Sequence, residues 1–238
     1  LLIELILQVR GALVDIREAT QLSRGKFSDK QFGESFYRLI AKETGTSDLL
    51  LSSLLNYLKI GTPVDKTNTV RNLIERVLTK YRAQLENKNI KVTEIFEENL
   101  PETIVPDEQL EYILNSVLLF AVVSAPPHGS VEFSTNSFRF QRDAAGVQSF
   151  LGMVGRHIEI QVVFSNGVKT AGRSGIAIGG IRSPQKDEEF DLLLRLAREV
   201  VERNRGMMRF QTDEQKRKIT ISLIFPVERR RASFYKPN

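Results

Sequence analysis

Leu2, Ile6, Val9, Leu13 and Ile16 recur at alternating intervals of four and three residues. That is a heptad seam, the repeat of helices packed side by side in a coiled coil or bundle. It predicts a helix from the first residues to about Ser23. The stretch "SRGKFSDK" then forms a turn, with Ser28 or Asp29 as the N-cap of a second helix. This helix, over about 29–60, carries Phe32, Phe36, Leu39 and Ile40, and later Leu50, Leu54 and Leu58. The polar run "KETGTSD" and Gly45 between them predict a weakened or kinked middle. Two long helices with one turn cannot hide their apolar faces alone. A symmetric homodimer closing a four-helix bundle is the simplest remedy.

The pattern changes after "IGTPVDKTN", a linker marked by Gly61 and Pro63. Asn68 or Thr69 starts a helix to about Glu86, with Val70, Leu73, Ile74, Val77, Leu78 and Tyr81 as its apolar face. "IKVTEIF" alternates like a half-buried strand, and "PDEQLEYILNSVLLFAVVSA" opens a helix at Pro106 and Asp107 that closes before Pro126. "SVEFST" and "HIEIQVVF" are strands. Between them, 137–156 is an insertion in which "VQSFLGMV" is either a short helix or a hairpin arm. The Gly-rich stretch 165–186 is loop-like, 187–204 is helical, and "GMMRFQT" with "KRKITISLIFPV" forms a closing hairpin. This order predicts an α+β sandwich with helices on one face of a mixed sheet.

Composition removes several chemistries. The 238 residues contain no Cys, which excludes disulfides, thiolate nucleophiles and Cys-ligated zinc. The only histidines, His128 and His157, fall in different elements, so neither a metal centre nor a His-based triad is expected. No apolar run reaches the length of a membrane span. The chain begins at Leu1, already mid-pattern, so a fragment is expected, with a sensor or membrane segment upstream. The net charge of +5 is concentrated in the tail "ERRRASFYKPN", which carries four basic residues and one acid. That tail is either a solvated extension or a contact for nucleic acid or an anionic membrane, and "RRRAS" resembles a basophilic kinase target at Ser233.

Element order and wording together resemble the core of a bacterial sensor histidine kinase. That core is a dimerisation and phosphoacceptor hairpin followed by a GHKL-type (Bergerat) ATP-binding domain. "LLNYLKIG" looks like the family's L-L-D-F-S-R-I-E, and "LENKNIKVTEIFEENLPETIVPDEQLEYIL" is similar to its E-x-x-I-x-L…L-P-x-x-x-x-D-x-x-x-L-x-x-V-L run. "REVVERNRG" resembles R-E-I-V-E-R-H-G-G. The resemblance implies a dimerisation hairpin over 1–61, a linker at 62–66, an ATPase-like domain over 67–227 and a basic tail from 228 to 238.

The functional residues do not carry over. Against the phosphoacceptor box H-E-I-R-N-P-L-T-A-I, the stretch "LQVRGALVDI" keeps Arg10, Leu13 and Ile16 but has Leu7 at the histidine and Gln8 at the acid. Autophosphorylation needs an imidazole nitrogen to attack the γ-phosphate, and leucine has no nucleophile. The N-box, L-x-x-V-L-x-N-L-x-x-N-A, falls on 110–121. It puts Glu111 at a usual basic position, Ser116 at the first Asn and Phe120 at the second, which normally holds Mg²⁺. Phe cannot ligate a hard cation. A one-residue slip would recover Asn115 but would break the match at Leu110 and Ala121. In the first glycine box Ser165 replaces the adenine-binding Asp, Gly167 remains and Lys169 replaces a Gly. In the second, Asp191 and Leu193 stand at glycine positions, where backbone N–H groups should approach phosphate. The glycines of "AGRSGIAIGGI", with Lys169 and Arg173, are either an anion cradle or a collapsed lid.

The resemblance therefore implies a pseudo-kinase: a cytoplasmic, dimeric two-component scaffold with no catalytic residue, no metal and no expected cofactor. Its partner is a response-regulator receiver domain or a partner histidine kinase. The docking surface falls on Arg10, Gly11, Val14, Asp15 and Lys59. Two rival expectations stand beside it. In one, the diverged pocket still binds ATP with Mg²⁺ or another nucleotide. In the other, the tail makes the chain a nucleic-acid or membrane-surface adaptor, although no helix-turn-helix or stacking signature supports nucleic acid, and the pseudo-kinase reading expects membrane contact only through an upstream segment.

Overall fold

The computed structural model describes residues 2–23, 30–60, 66–140, 155–165, 186–213 and 215–227. The Ser28/Asp29 cap, most of the insertion, the Gly-rich stretch and the tail lie outside them. Helix α1 (Leu2–Leu22) and helix α2 (Lys30–Lys59) pack against each other as the predicted hairpin. Ala12 and Leu50 are buried, while Ile6, Leu7, Leu13, Leu22, Tyr37, Leu51, Leu55 and Leu58 remain exposed. The seam of α1 therefore stays largely open within one chain. Helix α2 is continuous through Gly45, in the stretch expected to be weakened or kinked. A single glycine costs about 1 kcal/mol in a helix interior, which the surrounding turns absorb.

The second unit is built on a five-stranded mixed sheet. It contains α3 (Val70–Lys80), α4 (Arg82–Asn87), β1 (Lys91–Phe96), α5 (Asp107–Ser124), β2 (Ser130–Phe140), β3 (Gly155–Ser165), β4 (Met207–Asp213) and β5 (Lys218–Pro226), together with the C-terminal part of α6 (Lys186–Arg203) from Ala197. By its contacts, the chain groups the first part of α6, through Leu196, with the hairpin, and the remainder with the sheet. The strand order is β1-β2-β3-β5-β4, with β1 parallel to β2 and every other pair antiparallel. Parallel neighbours need a long crossover, and the segment containing α5 supplies it.

Alternation decides which face of the sheet is covered. Val131, Phe133 and Thr135 on β2 are buried, as are Ile158, Ile160, Val162 and Phe164 on β3 and Ile221, Leu223 and Phe225 on β5. Each fully buried large side chain contributes about 1.5–3 kcal/mol. Helices α3 and α5 pack together, and α5 lies against β3. The predicted face of α3 is buried at all six positions. Two boundaries differ from expectation. The first helix of this unit breaks at Tyr81, with no Gly or Pro to announce it. Strand β2 runs on to Phe140, because Asn136 to Phe140 find partners from Gly155 to Glu159. The polar residues there ended the sequence reading early.

Asp107 ties the entry of this unit to α5. Its Oδ2 accepts from the backbone N of Thr67 and Asn68 at 2.9 and 2.8 Å, from Thr67 Oγ1 at 2.8 Å and from Asn68 Nδ2 at 2.7 Å. Lys66 pairs with Glu102 at 2.8 Å, and Thr69 caps α3 by accepting from Asn72 N. At the far end of α5, Lys88 Nζ donates to the carbonyls of Val122, Val123 and Ala125, satisfying groups that a helix terminus leaves open. Helix α6 ends on Arg205 at φ 56°, followed by Gly206, where a Cβ would lie 2.7 Å from the Ile224 carbonyl oxygen. The related pattern has glycine at both places. Arg205 occupies the left-handed conformation that costs a side chain about 1 kcal/mol.

Two outcomes follow for stability. Arg205→Gly should raise the unfolding free energy by about 0.5–1 kcal/mol, read by urea denaturation; a loss would mean that the arginine side chain stabilises the turn. Burial alone pushes the Asp107 carboxyl upward, but its hydrogen bonds outweigh that and hold it below the usual carboxylate range. Its contribution is therefore present above the unfolded-state value near ~3.9 and lost as pH falls through the lower, folded value. Asp107→Ala should cost about 2 kcal/mol or more at neutral pH, and the deficit should shrink in acid. An unchanged stability at neutral pH would contradict this role.

Candidate functional site

The positions that the resemblance assigns to nucleotide chemistry lie on α5, β3 and α6. Ser116 is buried and donates its hydroxyl to the Tyr112 carbonyl of its own helix at 3.0 Å. A serine that bonds back to the preceding turn has spent its one donor. Glu111 reaches α3, where Arg76 Nη2 meets its carboxylate at 2.9 Å. Asn115 donates Nδ2 to the Glu111 carbonyl of its own helix at 2.8 Å, while its Oδ1 is buried without a hydrogen-bond partner.

Phe120 is the decisive position. Its ring stands edge-on to Phe164 of β3, with centroids 5.7 Å apart and planes at 86°, and tilted against Phe210 of β4 at 6.1 Å. Edge-to-face contacts of this kind contribute about 0.5–1.5 kcal/mol beyond burial. Where the related pattern has an oxygen ligand for Mg²⁺, this chain places an aromatic cluster that joins helix to sheet. Among the described residues no cluster of His, Asp or Glu is arranged to hold a metal ion.

Ser165 closes β3. Ser130 N donates to its Oγ at 3.0 Å, and the two hydroxyls lie 3.0 Å apart. The hydroxyl at the adenine-binding position is thus engaged across the sheet. Leu193 is buried on α6. Asp191 lies within the same helix, its side chain outside the described residues, as are Gly167 and Lys169. The partners Arg76, Ser130, Phe164 and Phe210 escaped the sequence reading. They come from elements distant in sequence, and only the sheet register and the α3–α5 packing bring them near.

On the hairpin, Leu7 is exposed on α1 and Gln8 half-buried beside it. Leu7, Arg10, Gly11 and Val14 recur at helical spacing along one side of α1. Arg10, Gly11 and Asp15 are exposed and Val14 half-buried, and around Gly11 there is open space. Lys59 is exposed in the last turn of α2. His128 occupies the exposed turn after α5 at φ 61°, whereas His157 is buried on β3 with its ring stacked on Phe138 at 6.1 Å. The two histidines are not brought together into a site.

No protein-family model and no curated protein matches this sequence. Solved structures do. The histidine kinase AdeS of Acinetobacter baumannii matches with a TM-score of 0.56 at 13% identity, over 92% of this chain and 97% of that one. The fold is that of a sensor histidine kinase core. The histidine kinase ThkA in complex with the response regulator TrrA gives a TM-score of 0.60 at 12% identity, over 92% of this chain and 59% of ThkA. Full-length ShkA in complex with AMPPNP gives 0.53 at 13%, over 90% of this chain and 42% of ShkA. The histidine-kinase fold thus accommodates both the hairpin and the ATPase-type sandwich expected from the sequence.

Placing at position 120 the polar side chain of the related pattern should be costly in this background. Phe120→Asn removes both ring contacts and is expected to destabilise the second unit by about 2 kcal/mol or more. Denaturant titration of the variant checks it, and wild-type stability would show that the cluster is not a packing element.

Proposed function

We propose that the chain is a catalytically inactive, histidine-kinase-like dimeric scaffold of a two-component pathway, docking a response-regulator receiver domain or a partner kinase. The observation that carries the inactive reading is the Phe120–Phe164–Phe210 cluster at the position of the metal-holding Asn. Leu7, exposed where the nucleophilic histidine belongs, and Ser165, bonded to Ser130 where adenine should be held, support it from two other elements. A fold of the transferase type can persist without the chemistry, because packing and catalysis draw on different side chains.

Dimerisation is the second part of the proposal. Leu51, Leu55 and Leu58 recur at four- and three-residue intervals on α2 and are 47%, 56% and 61% exposed, while Ile6 and Leu13 on α1 lie one heptad apart and are 56% and 58% exposed. Stripes of this kind fit a second copy closing a four-helix bundle. ThkA binds a response regulator, and the exposed Arg10, Gly11 and Asp15 leave the corresponding helix side of this chain accessible for such a partner.

The tests separate the parts. A fluorescent ATP analogue with Mg²⁺ should show no saturable binding in the low-micromolar range; saturation there would favour the rival reading of a diverged but functional nucleotide site. Leu7→His should yield no radiolabelled phosphohistidine, because the nucleotide needed to phosphorylate it is not expected to bind. In sedimentation equilibrium the parent chain should run as a dimer and Leu51→Glu/Leu55→Glu as a monomer. A monomeric parent would remove the scaffold reading.

A further inference from the structure

The end of the β2–β3 ladder beside Gly155 carries an arrangement that kinase-like chemistry does not use. Arg139 and Arg156 are direct partners there, and both are exposed. Directly opposed residues share one face of a sheet, with Cβ atoms about 4.5–5.5 Å apart. The preceding pair, Phe138 and His157, stacks on the opposite face with ring centroids 6.1 Å apart. Like charges in this position destabilise a strand pair. Among the described residues no carboxylate pairs with either arginine, so the sequence keeps an unfavourable contact that a neutral residue on either strand would remove.

One member of the pair is also held in place. Arg156 Nη2 donates to Ser137 Oγ at 3.2 Å, and that hydroxyl donates its own proton to Glu97 Oε1 at 2.8 Å. The second Glu97 oxygen accepts from Ser137 N. The carboxylate therefore fixes the hydroxyl, and the hydroxyl turns a lone pair towards the guanidinium without bringing charge to it. The Arg156 carbonyl accepts from Val227 N at 3.1 Å, which holds the backbone of this rung from the β5 side. One guanidinium is thus anchored opposite another. Most N–H donors of Arg156 and all those of Arg139 have no partner among the described residues.

We propose that Arg139 and Arg156 form a binding site for a phosphate group, one guanidinium contributed by each strand. The chemistry of the pair selects the ligand. A carboxylate brings a single charge and two oxygens, which one guanidinium fork satisfies. A phosphate monoester carries a charge of about −1.5 to −2 at neutral pH and three acceptor oxygens, enough to engage a fork from each strand and to cancel their repulsion. Inorganic phosphate and a phosphorylated serine side chain offer the same group, and the test separates them. The site shares no residue with the positions assigned to nucleotide chemistry, so it stands or falls separately from the pseudo-kinase reading.

The test is calorimetric titration of the full chain, at constant ionic strength, with inorganic phosphate, with a capped tripeptide centred on phosphoserine, and with acetate. Phosphate and the phosphopeptide should bind saturably and acetate should not. Tighter binding of the peptide would identify a phosphorylated side chain as the ligand, and tighter binding of inorganic phosphate the free anion. Arg139→Gln and Arg156→Gln should each weaken binding about tenfold or more. Both side chains are exposed, so the variants should fold. Without phosphate, Arg139→Gln should unfold at the same temperature as the parent or higher, because the repulsion is gone. With phosphate the parent should gain more in unfolding temperature than the variant, whereas the general effect of phosphate on protein hydration is shared by both. Absence of saturable binding by either phosphate compound would overturn the proposal, as would acetate binding as tightly as phosphate or undiminished binding by the glutamine variants. A lower unfolding temperature for Arg139→Gln in the absence of phosphate would refute the uncompensated pair on which the site rests.

Discussion

Helix α5 has to be buried almost all round. It crosses over the sheet from β1 to β2, packs on α3 and lies against β3. An unbonded polar group in such a place costs several kcal/mol, so most of its polar side chains bond at short range, although Asp107 Oδ1 and Asn115 Oδ1 are buried without a partner. Asp107 finds the linker residues Thr67 and Asn68, Ser116 and Asn115 turn to carbonyls of their own helix, and Glu111 reaches Arg76. Phe120 goes the other way and completes the core with two other rings. In a nucleotide-binding relative of this fold, the same helix would have to keep polar groups unspent for a ligand. Here Asp107 Oδ2, the Ser116 hydroxyl, the Asn115 amide nitrogen and the Glu111 carboxylate bond within the fold.

The hairpin faces the opposite constraint. Two helices bury one stripe between them, and the remaining apolar residues stay in water unless another surface covers them. Ala12 and Leu50 are buried, while Leu13 and Leu51 beside them are exposed. The exposed leucines outside the intrachain contact are the apolar area that a second surface would have to cover.

Much of the fold was legible because the features that specify it are local. The heptad of α1, the six-position face of α3 and the Pro106–Asp107 start of α5 each follow from periodicity or cap chemistry. The extension of β2 to Phe140 was not legible, because Asn136, Ser137 and Arg139 interrupt the apolar alternation and are held by pairing with β3 instead. The break at Tyr81 had no glycine or proline to mark it. The site divides the same way. A leucine or phenylalanine in place of a functional residue can be read from one position, since neither side chain has the required atoms. Ser165 was ambiguous alone, because its hydroxyl could face a ligand or a neighbour, and only the sheet register brings Ser130 to it.

The same separation of scales distinguishes the packing positions of α5 from the positions interleaved with them. Positions such as Leu110, Val117 and Ala121 on α5 are fully buried, and a polar replacement there would leave an unpaired group in the core. Substitution is confined to apolar residues of similar volume. Among the interleaved positions, Phe120 adds to packing and Ser116 satisfies its donor within its own helix. At exposed positions the balance differs. Arg139 and Arg156 gain nothing from burial and repel each other across the ladder. Phe120 and Ser116, by contrast, are held by ring packing and by a bond within their own helix.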